Sequence, residues 1–103
     1  MPSFIIAYRG GRKPDTPEEG AEQMAKWKVW IDDLGDAVIN PGTPLGKSLF
    51  VTSGGVSEDG GTEALTGFSM VNADSMDDAL EMAKACPFLA FGMLEVAQVM
   101  EMA

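Results

Sequence analysis

Apolar positions along the chain fall into short runs of two different periods. Ser3 to Arg9 is a run rich in β-formers, closed by Gly10-Gly11, and it reads as a strand. Its faces are both mostly apolar, with Phe4, Ile6 and Tyr8 on one and Ile5 and Ala7 with Arg9 on the other, which predicts a central strand covered on both sides. Met24, Trp27, Ile31 and Leu34 then recur at helical spacing, with Trp30 at the edge of the stripe. Thr16 can cap this helix and Pro17 suits its first position. Glu18 and Glu19 face the positive end of its dipole, and Gly35 supplies the stop.

Ala37-Val38-Ile39 and Leu49-Phe50-Val51-Thr52 are β-prone, but Pro41-Gly42 and Pro44 lie between them. Proline cannot donate to a ladder, so the segment predicts an edge strand with a turn or bulge. Ser53-Gly54-Gly55 through Asp59-Gly60-Gly61 reads as a loop, and Leu65 to Ala73 as a strand. Ser75, three residues before Asp78, is a capping serine ahead of Ala79, Leu80 and Ala83, and Cys86-Pro87 ends that second helix. The last strand runs from about Met93 to Met100, apolar on both faces apart from Glu95 and Gln98.

This order predicts one α+β domain over residues 1–103 of ferredoxin-like βαββαβ type: a four-stranded antiparallel sheet with two helices on one face. The opposite face would leave apolar side chains in water unless something covers it, and a second copy is the simplest cover. A homodimer through the sheet face is therefore expected. A domain this small buries only about two-thirds of its unfolded surface, which favours the same outcome.

Composition narrows the partners. The 16 acidic residues outnumber 7 basic ones, giving a formal charge of -9, so nucleic acid and anionic membranes are not expected partners. The start, MPSFIIAYRGG, lacks the features of a signal peptide, and no apolar run approaches the ~20 residues that span a bilayer, so a cytoplasmic location is the expectation. Cys86 is the single cysteine, which rules out an intrachain disulfide and a Cys-rich zinc site.

Several segments together resemble the YCII-related family, in particular its DGPF-like branch. They are Leu65-Thr66-Gly67-Phe68-Ser69-Met70-Val71-Asn72-Ala73-Asp74-Ser75-Met76-Asp77-Asp78-Ala79-Leu80, Cys86-Pro87 and Val96-Ala97-Gln98-Val99-Met100-Glu101-Met102. Phe4 to Gly11, Pro17-Glu18-Glu19-Gly20 and Leu34-Gly35 also look like that branch. The resemblance implies a ferredoxin-like fold that dimerises sheet to sheet into an α/β barrel. It also implies a His/Asp pair in a cleft for some members, and an enzymatic relative that removes chloride from a chlorinated hydroxyquinol. This chain has 0 histidines, so no such pair can be carried over to any position. The Asp-Gly-Pro-Phe signature is also absent; the corresponding loop reads Val56-Ser57-Glu58-Asp59-Gly60-Gly61.

Acid/base chemistry without histidine needs a shifted carboxylate, tyrosine, lysine or cysteine. Tyr8 and Arg9 end the central strand, and an arginine there needs a carboxylate such as Glu95, solvent, or an anionic ligand. Tyr8, Arg9, Asp59 and Glu95 are therefore the candidate ligand-binding residues, with Lys47 weaker. Asp32, Asp33 and Asp36 are the densest carboxylate cluster but lack Asp-x-Asp-x-Asp-Gly spacing and read as a solvated helix end, so no metal and no cofactor is expected. Trp27 and Trp30 read as core, and Cys86 at a helix C-terminus as an unactivated thiol. Two function classes stay open. One is a homodimeric domain that binds a small anionic or aromatic molecule or a protein partner. The other is a small histidine-independent enzyme of lyase or isomerase type, acting on a small polar or aromatic substrate in the dimer cleft.

Overall fold

The structure, a computed structural model, describes residues 2–58 and 64–100. Ser3–Arg9 forms strand β1 as its composition predicts, and Pro17–Leu34 forms helix α1. The start of α1 is fixed by side chains. The Glu19 amide donates to Thr16 Oγ1 at 3.1 Å, and the Asp15 amide donates to the Glu19 carboxylate at 3.3 Å, so two amides at the helix entry are satisfied. Gly35 closes the helix at φ 56 and donates its amide to the Ile31 carbonyl.

The α1 stripe is rolled relative to its sequence reading. Trp30, expected at the edge, is 5% exposed and is the buried residue of the helix, whereas Met24 is exposed. The Trp30 indole N–H donates to the Met82 carbonyl at 2.9 Å, so the larger aromatic enters the core with its polar atom satisfied and the flexible methionine is turned outward.

Strands β2 (Val38–Pro44), β5 (Leu65–Asn72) and β6 (Met93–Gln98) join β1 in an antiparallel sheet of order β2-β5-β1-β6. β1 is central, as expected, and β2 is an edge strand. Pro41 and Pro44 are tolerated there, and the β2–β5 register slips on both sides of Asn40. Helix α2 (Met76–Lys84) starts where Ser75 Oγ accepts from the Asp78 amide at 3.2 Å. Phe4, Ile6 and Val71 from the sheet pack with Trp30, Ala79, Ala83 and Cys86 on the helix side. The other sheet face carries Ile5, Ala7, Phe68, Met70, Met93 and Ala97, which the cross-strand register sets side by side. No element of the described chain covers that face as α1 and α2 cover the first; Met93 and Ala97 on it are exposed and Ile5, Phe68 and Met70 half-buried.

The segment after β2 departs from the sequence reading. Phe50–Thr52 (β3) does not continue the edge strand, and Gly55–Ser57 (β4), read as loop, is a strand. The two pair with each other, Val51 opposite Val56, across the two-residue turn Ser53-Gly54. The reason is the end of the ladder: pairing of β2 with β5 runs out at Pro44 opposite Gly67 and one further bond, the Leu45 amide to the Thr66 carbonyl at 3.0 Å. Beyond that point, among the described residues, the chain pairs with its own return, and Gly55 at φ 126 permits the tight reversal.

One glycine of β2 is fixed by close approach. A Cβ on Gly42 would lie 2.8 Å from the Trp27 ring. Gly42→Ala should therefore lower stability by roughly 1–3 kcal/mol through overpacking. Gly46→Ala, where nothing lies within 4 Å, should change it by less than about 0.5 kcal/mol. Urea denaturation of both variants checks the contrast.

Candidate functional site

Strand pleating puts consecutive side chains on opposite faces, and this divides the residues singled out from the sequence. Tyr8 points to the helix side and Arg9 to the open face. Asp59 lies outside the described residues.

On the helix side, Ser69 is completely buried on β5 and its hydroxyl donates to the Pro41 carbonyl at 2.8 Å. That bond uses the only proton of the hydroxyl, so in the short hydrogen bond between Tyr8 and Ser69 the phenol is the donor. The chain of bonds therefore has one direction: Tyr8 to Ser69 to the Pro41 carbonyl. It links β1, β5 and β2. The Trp27 side chain lies beside the phenol and pulls its pKa down. Phe88 closes the other side of the Tyr8 ring, with centroids 5.1 Å apart and planes tilted by 35°. Burial pushes the Tyr8 phenol above its usual pKa, against the opposing pull of the Ser69 hydrogen bond and of Trp27. Tyr8 is thus a neutral donor at physiological pH and is not poised as a base.

Ser69 was missed by sequence reasoning, although a signal existed. Gly67, Ser69 and Val71 occupy the inward positions of an alternating strand, and a serine at such a position needs a buried partner.

On the open face, Arg9 Nη1 lies 3.3 Å from Glu95 Oε1, with side-chain exposures of 30% and 64%. The pair is diagonal: Arg9 sits opposite Met93, and Glu95 opposite Ala7. One guanidinium nitrogen engages one carboxylate oxygen, and the geometry is not the bidentate fork that saturates an arginine, so donors remain for a ligand. Apolar Met93, Ala7 and, further along, Ile5 and Phe68 frame the charges.

The remaining candidates are more ordinary. Lys47 pairs with Glu58 at 3.5 Å, both exposed. Asp32, Asp33 and Asp36 are exposed around the end of α1, and among the described residues no group of three or more His, Cys, Asp or Glu side chains converges as a metal site. Cys86 is buried, and that burial pushes its thiol up to about 11. Among the described residues no helix is long and apolar enough to cross a membrane.

Comparison with known proteins adds the family. The chain is similar in structure to 5-chloro-2-hydroxyhydroquinone dehydrochlorinase (TftG) from Burkholderia phenoliruptrix AC1100, solved in complex with 2,5-dihydroxybenzoquinone. The TM-score is 0.58 at 17% sequence identity, covering 95% of this chain and 93% of that one. At this identity the likeness is one of fold. No curated protein matches the chain. The YCII-related domain matches residues 12–103, which hold both helices and every strand of the sheet except β1, and the chain therefore belongs to the YCII-related domain family.

Proposed function

We propose that the protein is a homodimer whose two open sheet faces meet and enclose a cleft, in which Arg9 holds the oxyanion of a small carboxylate or phenolate. The observation that carries this reading is the open face itself: an apolar surface of Ile5, Phe68, Met70 and Met93 surrounding one incompletely saturated guanidinium. Enclosure matters because an arginine–anion contact gains strength as water is excluded. The aromatic and methionine side chains suit a planar ring, and methionine adapts to its outline. The structural neighbour was solved with a small dihydroxyquinone, which supports a ligand of that class.

The second reading is a histidine-independent enzyme, and what favours it is that the structural neighbour is a dehydrochlorinase. The groups available are Tyr8 and Cys86, and burial holds both in their neutral forms. Both lie on the helix side of the sheet, away from the open face, and the Tyr8 proton is already given to Ser69, so binding without catalysis is the better supported function.

Three outcomes follow. Sedimentation should show a dimer at micromolar concentration, with a contact of roughly 1,200 Å² or more in total; a monomer there ends the dimer reading. Thermal shift against a panel of small carboxylates and phenolates should show a stabilising ligand for wild type that is lost in Arg9→Ala. Because the Arg9–Glu95 pair is solvent-exposed in one copy, that substitution should itself cost less than about 1 kcal/mol. A wild type that no anion shifts would remove the site.

The third concerns alkali. A thiol raised in the folded state keeps its proton after the unfolded thiol has lost it, so the unfolded state binds fewer protons and stability falls as pH rises. The loss should begin near pH 8.5, where a free thiol ionises, and continue to about pH 11. Tyr8 adds a further loss in the same direction above about pH 10. Cys86→Ala should flatten the first part of this dependence in urea titrations across the range; an unchanged slope would mean the thiol is not protected.

A further inference from the structure

Arg9 and Glu95 meet beside a break in the sheet register. β1 and β5 pair residue by residue as far as Tyr8 opposite Gly67, and Arg9 then falls opposite Leu65, so Thr66 is the extra residue of a β-bulge. The bulge is pinned to β1. Thr66 Oγ1 lies 3.2 Å from the Tyr8 carbonyl and 3.4 Å from the Gly10 carbonyl, and the Gly10 amide donates to the Ala64 carbonyl at 2.8 Å. The backbone on both sides of Arg9 is thereby held by β5, and bulges recur next to functional sites because they aim a side chain in this way.

The pair is satisfied on one side only. The single contact, Arg9 Nη1 to Glu95 Oε1, leaves further guanidinium donors and the second Glu95 oxygen without a side-chain partner among the described residues. The register surrounds the two charges with apolar Met93, Ala7 and Phe68, while Asn40 and Thr43 of β2 bond each other at 3.3 Å. A plain anion that reaches Arg9 therefore brings its oxygen beside a carboxylate as well, and that repulsion offsets much of the attraction to the guanidinium. An anion that also carries a hydroxyl escapes the conflict. Its oxyanion takes the Arg9 donors, its hydroxyl donates to the free Glu95 oxygen, and each charged group gains a charge-assisted bond.

We propose that Glu95 is the specificity residue of the Arg9 site, selecting small anions that carry a hydroxyl donor, hydroxylated aromatic acids among them, over anions that carry none. This rests on the reading of Arg9 as the holder of an oxyanion and names the ligand class of that same site. Both groups belong to one copy of the chain and to neighbouring strands, β1 and β6.

The test is isothermal titration calorimetry at neutral pH on full-length wild type, Glu95→Leu and Arg9→Ala, with Glu95→Thr as a second variant should Glu95→Leu aggregate. The probes are benzoate, the three hydroxybenzoates and their methoxy counterparts. Each carries one ionised carboxylate at that pH, and each phenolic hydroxyl keeps its proton. At least one hydroxybenzoate should bind wild type ~10-fold or more tightly than its methoxy counterpart and than benzoate. In Glu95→Leu that preference should vanish, while benzoate binds as tightly as to wild type or more so, a crossing that misfolding cannot produce. Arg9→Ala should lose all of them. Hydroxy and methoxy compounds that bind wild type equally, or a preference that survives the loss of Glu95, would overturn the selection and leave Arg9 as the oxyanion holder. A wild type that binds none of the panel removes the Arg9 site and the selection with it.

Discussion

The fold depends on how a proline-bearing edge strand is held to the sheet. Pro41 and Pro44 have no amide to give, so β2 cannot be laddered to β5 along its length, and its register slips twice. What substitutes for the missing ladder is the directed hydrogen-bond chain from Tyr8 through Ser69 to the Pro41 carbonyl. Ser69 is fully buried, and a hydroxyl in that position is stabilising only while both neighbours remain in place. Beside this cluster, the Trp27 ring explains why Gly42 is a glycine, since a Cβ there would lie 2.8 Å from it.

Much of the architecture was legible because the element boundaries are written in residue types with one dominant use. Thr16-Pro17, Gly35 and Ser75 each satisfy a helix end in the way their chemistry requires, and the two-faced apolar run Phe4–Tyr8 places β1 at the centre. Legibility failed where tertiary context decides. Trp30 displaced Met24 from the core because the Met82 carbonyl was available to its indole, a partner far away in sequence. Gly55–Ser57 was read as loop because Gly54-Gly55 and the serines beside it are turn-formers, and whether they open a loop or close a hairpin depends on the ladder ending at Pro44.

The candidate site was legible by residue but not by grouping. Tyr8 and Arg9 adjoin in sequence, and the pleat sends them to different environments: one into a satisfied hydrogen-bond chain beside the core, the other onto an open surface with Glu95. Arg9 and Glu95 were named as a pair because a strand-end arginine needs an anion. Ser69 carried no charge to draw notice, yet its inward position on β5 is what makes Tyr8 a donor.

The two edges of the sheet are unequal in their openness to further strands. β2 presents prolines, which deny an incoming chain the amides it would need to bond, and its irregular register offers no straight template. β6, at the other edge, has no proline from Met93 to Gln98 and alternates regularly, so Glu95 with its charge is its main deterrent. Unwanted polymer growth of the sheet is thereby confined to one side, and a single carboxylate stands guard over it.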